Sequence, residues 1–184
     1  MAQDNAVIKD LINYLQSKAG TKLSTLPTLL SSQDAQVGLI LTERLINMPA
    51  EVVPPMYTML LEEIEWALEE REPYEFTHYL ILSKTYSEVE SKVDQEDTRP
   101  SKKKKQGTSA DEAFYFHPED EILHQHAAGY CSFAYTKQGD EGSSDSKRAF
   151  SEMGISPKGH LILIDARNFK GAVTAMSNLF KAPG

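Results

Sequence analysis

Residues 74–89, YEFTHYLILSKTYSEV, constrain the fold of this chain more than any other stretch. Read as one long strand, they put Phe76, His78, Leu80 and Leu82 on one face and Tyr79 and Ile81 on the other. Both faces are largely apolar, so the strand belongs at the centre of a sheet that has cover packed on it. The flanking segments supply that cover. Residues 5–18 carry Val7, Ile8, Leu11, Ile12 and Leu15 at helical spacing, with Asp4 or Asn5 as N-cap and Gly20 past the end. Residues 23–31 predict a helix that Pro27 limits to a turn or two. Residues 37–45 read as a short buried strand, and residues 160–165, HLILID, as another. Residues 168–181 place Phe169, Ala172, Val173, Met176, Leu179 and Phe180 on one helical stripe. The fold class is α/β (α+β): a mixed, mostly antiparallel central sheet with helices packed on it.

The rest of the middle is less regular. Residues 112–117, EAFYFH, resume as a strand, and residues 121–136 alternate well enough for one long strand or a bent pair. Residues 90–110 are polar, charged and almost free of aliphatic side chains, which predicts a flexible loop of about 20 residues. Residues 138–147, QGDEGSSDSK, predict a second flexible loop. With 184 residues, 40% of them hydrophobic, the chain is long enough for a single domain, 1–184, with a real core. No stretch approaches the roughly 18 consecutive apolar residues of a membrane-spanning helix. The single Cys131 rules out an internal disulfide framework and favours a reducing compartment.

Residues 43–57, ERLINMPAEVVPPMY, turn an apolar run into an acidic periodic one. Glu43 and Arg44 close the strand, one of them placed to pair with the N-terminal region of the next helix. Asn47 suits an Asx-type turn ahead of Pro49. Pro54 and Pro55 fit a first helical turn, where a missing N–H costs nothing. Behind them Met56, Met59, Leu60, Ile64, Ala67 and Leu68 form an apolar stripe, with Tyr57 beside it and placed to hydrogen-bond across the loop. Glu62, Glu63, Glu65, Glu69 and Glu70 fall mostly outside the stripe, and the helix stops before Pro73. The whole chain has a formal net charge of −8, and from Glu51 to Glu75 eight Glu stand against one Arg, a local −7. That balance argues against sequence-independent binding to nucleic acid, which needs a positive surface. It suits a basic protein partner, through steering and charge complementarity.

Catalytic and ligand motifs are sparse. His117, His124, His126 and Cys131 are the only metal-type group in the sequence, and a zinc site needs three or four ligands in tighter pairs, so they read as strand residues. Cys131 alternates with Phe133 and Tyr135, which favours core over a nucleophile. No Walker loop or dinucleotide fingerprint is present. Nor is there a Gln/Arg-x-x-Gly-x-Gly/Ala loop for the pyrophosphate of an acyl-CoA; the nearest glycine pair, Gly139 and Gly142, has acidic neighbours. No catalytic residue, cofactor or metal is assigned. Lys102, Lys103, Lys104 and Lys105 form a basic cluster suited to nuclear import.

Residues 37–64, VGLILTERLINMPAEVVPPMYTMLLEEI, resemble the signature of the BCCIP/BCP family, closest to its fungal branch. Val37, Gly38, Leu39, Leu41, Glu43, Arg44, Ile46, Asn47, Pro49, Pro55, Met56 and Tyr57 match its pattern. Residues 74–86, YEFTHYLILSKTY, resemble the family's tyrosine-rich strand, and DEAFYF at 111–116 has a counterpart as well. The resemblance implies the C-terminal two-thirds of a longer member, because the acidic tail, phenylalanine-rich strand and further helical region that precede Asn5 in the family are missing. It implies a fold similar to the GNAT acetyltransferases without the acetyl-CoA loop. It implies a nuclear, non-enzymatic protein with cytoplasmic shuttling that escorts one basic ribosomal protein of the large subunit. Nuclear export is implied too, including that of a phosphoinositide kinase with nuclear transport factors. Two other readings stand beside the escort: a multi-partner cell-cycle and DNA-repair adaptor, or a diverged GNAT-type acyltransferase.

Overall fold

The computed structural model describes residues 6–43, 48–88, 114–135 and 154–180. Its frame is β2 (His78–Glu88), which pairs antiparallel with β5 (Ile155–Asp165) along its whole length, from His78↔Asp165 to Glu88↔Ile155. The other edge of β2 is shared. β1 (Val37–Leu41) runs parallel to it over residues 78–82, and β3 (Phe114–Tyr115) pairs antiparallel with Tyr86 and Thr85. β4 (Gly129–Phe133) lies antiparallel on the far side of β5, giving the order β1-β2-β5-β4 with β3 beside β2. The central placement of β2 follows from its two apolar faces, and the sheet is mixed and mostly antiparallel as expected.

Helices cover both faces. α1 (Ala6–Ala19), α2 (Thr25–Ser31) and the turn between them put Leu15, Ala19, Leu23 and Leu26 against Leu80, Cys131, Phe133, Leu161 and Leu163. α3 (Val53–Glu69), α4 (Pro118–Gln125) and α5 (Ala166–Leu179) cover Tyr79, Ile81, Ile162 and Ile164 on the opposite face. Each fully buried aliphatic side chain here contributes about 1.5–3 kcal/mol relative to exposure. No described helix is long and apolar enough to cross a membrane.

Several expectations are corrected. Residues 121–128 do not continue as a strand: α4 occupies 118–125, with Pro118 at its start and Glu119, Asp120 and Glu121 in its first turn, where the helix dipole favours acids. β1 is an edge strand rather than a buried one, with Leu39 and Leu41 exposed. β2 begins at His78, so Phe76 escapes the strand alternation and packs on Tyr79 of the other face. β5 starts at Ile155, five residues earlier than the sequence indicates. The two loop segments and the four lysines at 102–105 lie outside the described residues, as do Arg44 and Asn47.

Candidate functional site

α3 is held by its inner face and leaves its outer face bare. A 3-10 turn at Ala50–Val52 leads in, and Pro54 and Pro55 occupy the first turn. Val53, Pro54 and Tyr57 are buried, Leu60, Leu61 and Ile64 pack on the core, and Tyr57 meets Phe169 edge-on at 5.5 Å. The apolar stripe is therefore rotated from the expected one. Tyr57 anchors it, whereas Met56, Met59 and Leu68 face solvent. The helix ends in a Schellman turn: Glu72 N–H donates to Ala67 O at 2.8 Å, Arg71 N–H donates to Leu68 O at 3.0 Å, and Arg71 takes φ 64°.

The outer face carries Trp66, 66% exposed, and Met59, 59% exposed. Glu62, Glu63, Glu69 and Glu70 stand three or four residues from Trp66, so on a helix they surround it. All four are exposed, and none forms an ion pair among the described residues. Glu65 is turned to one side, with Lys170 of α5 at 3.2 Å. A shallow hollow of about 390 Å³ runs between α3 and α5, lined by Glu51, Met59, Glu62 and Phe180. Such a face offers carboxylates for cations and one aromatic ring for a cation–π contact.

The corner ahead of α3 works differently from the sequence reading. Glu43 does not reach the helix start; its carboxylate takes Lys84 of β2 at 2.6 and 2.7 Å. Pro49 caps the 3-10 turn. Met56, Tyr57, Leu41 and Val53 line an apolar groove of about 270 Å³ beside β1.

A second site lies at the other end of the sheet. On the α4 face, the apolar rows of β2 and β5 give way to Ser83, Thr85 and His160, all buried. Asp120 accepts a hydrogen bond from Ser83 Oγ. His160 Nδ1 lies 2.8 Å from Ser132 Oγ, while His160 Nε2 is buried without a hydrogen-bond partner among the described residues. Burial, with help from the neighbouring His124, pushes the His160 imidazole down to about 4, so the ring is neutral at neutral pH. Burial lowers His124 too. Tyr115, whose hydroxyl contacts His124 Nδ1, and Tyr130 complete a collar of rings around His160 at 5.7 and 5.9 Å. The collar borders a cleft of about 910 Å³.

The expected histidine group is dispersed by these elements. His117 precedes α4 and is buried, and the His126 ring lies 2.9 Å from Ile122 O at the end of the same helix. Cys131 points to the opposite face, 3.8 Å from Lys18 O, and burial raises its thiol. Among the described residues no three His, Cys, Asp or Glu side chains gather as metal ligands. Of the group His124 and Cys131 line the cleft, and His117 and His126 do not; Tyr115, Tyr130, Ser132 and His160 were missed. A histidine heading an otherwise aliphatic strand, HLILID, was the available signal.

Comparison with known proteins places these features in a family. The BCCIP family profile matches residues 1–123. Protein bcp1 of Aspergillus oryzae is 58% identical, covering 98% of this chain and 63% of the relative. Protein bcp1 of Schizosaccharomyces pombe is 44% identical, covering 98% and 65%. The chain thus spans a little under two thirds of the length of these relatives. Among solved structures, BCP1 from Saccharomyces cerevisiae superposes with a TM-score of 0.54 at 20% identity, over 92% of this chain and 57% of the other, a likeness of fold.

Proposed function

The chain belongs to the BCCIP family, and from that premise we propose that it is a non-enzymatic nuclear escort for a basic protein of the large ribosomal subunit, supporting ribosome biogenesis and nuclear export. The observation that carries this reading is the exposed Trp66 set among Glu62, Glu63, Glu69 and Glu70. A monomeric helix gains nothing from that arrangement. Glu65, at i,i+3 from Glu62 and i,i+4 from Glu69, has Lys170 to offset its like-charge neighbours, whereas Glu62, Glu63, Glu69 and Glu70 have no cation beside them among the described residues. A large aromatic ring in water adds no burial. A lysine- or arginine-rich client segment reverses both costs, since its cations meet the carboxylates and its alkyl stems lie over Trp66 and Met59.

Charge also governs the kinetics expected of an escort. Free ribosomal proteins carry dense positive charge, and an acidic surface captures such a partner fast and loses it as salt rises. Reversing Glu62, Glu63, Glu69 and Glu70 to lysine should abolish capture of the basic ribosomal protein. The domain should stay folded, because all four side chains are exposed. Undiminished capture by a folded variant would remove α3 from the interface.

A further inference from the structure

We propose that the cleft beside β4 is a binding site for a small planar anion, an aromatic ring carrying a phosphate, at a surface separate from α3. Four observations converge on it. Its volume of about 910 Å³ lies within the roughly 300–1,000 Å³ of small-molecule sites. Its described lining includes Lys22 and Lys158 and no carboxylate, in a chain of net charge −8. Local positive potential in an acidic protein selects anions. Tyr130, half exposed, and Tyr115 present ring faces and edges on which a planar group can stack.

The fourth observation is His160 itself. It is 99% buried, lines the cleft, and keeps Nε2 without a partner among the described residues. Buried polar atoms are nearly always satisfied, and an orphan beside a cavity marks a position that a ligand atom can fill. A neutral imidazole fixed through Nδ1 to Ser132 keeps Nε2 enclosed and unsatisfied behind the cleft wall, so a ligand atom pairs with it only as the surrounding rings shift to admit it. Ser132 and Thr85 add hydroxyls near the same spot, and Lys158 supplies the charge for the phosphate.

Calorimetric titration of the protein with adenosine monophosphate tests the assignment, with adenosine and inorganic phosphate titrated separately. The expected result is saturable one-to-one binding of the nucleotide, with either half alone weaker by about tenfold or more. Lys158→Glu and Tyr130→Ala, both at accessible positions, should each weaken the nucleotide by about tenfold and leave the circular dichroism spectrum unchanged. No heat with the nucleotide at millimolar concentration would overturn the proposal. So would phosphate binding as tightly as the nucleotide, or both folded variants binding like the parent.

Discussion

His160 shows how one buried side chain ties stability to pH. Its imidazole is neutral in the folded protein down to about pH 4, whereas an unfolded histidine takes a proton near 6.5. Between those values the unfolded state binds the extra proton, so stability falls as pH drops from 6.5 to 4 and the contribution is fully present only above 6.5. The loss attributable to His160 is on the order of 3 kcal/mol. His124, shifted in the same direction, adds to it. Urea titrations from pH 7 to pH 4 should show this slope, and His160→Gln should flatten it; an unchanged slope in the variant would refute the assignment. Arg71 offers a second residue-scale check. It holds a left-handed position that glycine takes freely, so Arg71→Gly should stabilise the protein by about 1 kcal/mol in the same assay. At this scale the sequence was partly legible. Pro54 and Pro55 read correctly as a helix start, but the burial of Tyr57 did not, because helical spacing shows which residues share a face and not how that face is rotated toward the core.

Elements were legible where their hydrophobic pattern was long. α1, α3 and α5 each carry more than three turns of stripe, and β2 carries two apolar faces. α4 has eight residues, and over so short a window Ile122, His124 and His126 mimic strand alternation. The helix signal there was local instead: Pro118 followed by three acids. β1 was recognised as a strand, but a five-residue apolar run cannot say whether it lies at an edge or within a sheet. Packing between elements makes a sharper prediction at Gly159 of β5. A Cβ there would overlap the ring of Phe133 on β4. Gly159→Ala should force Phe133 out of its place and cost about 1–3 kcal/mol in thermal or urea unfolding. A variant as stable as the parent would mean that the β4–β5 contact is looser than described.

At the scale of the whole molecule, two surfaces of opposite character lie at different ends of the same helix-covered face of the sheet. One end of the α4 face carries the neutral histidine and tyrosine collar beside two lysines; α3 carries exposed carboxylates around Trp66. The acidic surface was visible in the sequence because charge runs and helical period lie in consecutive residues. The cleft was not, since Tyr115, Tyr130, Ser132 and His160 come from three strands that only the fold brings together. The role proposed for α3 is to receive a basic client. Trp66 is the only tryptophan in the chain, so its fluorescence reports on that surface alone. The most direct measurement titrates a lysine- and arginine-rich large-subunit ribosomal protein against Trp66 emission at rising salt, with the parent and with the variant in which Glu62, Glu63, Glu69 and Glu70 are lysine. The parent should show a saturable change, with affinity falling steeply as salt screens the charges, and the variant should show none. Salt-independent binding, or equal affinity in the two proteins, would contradict that role.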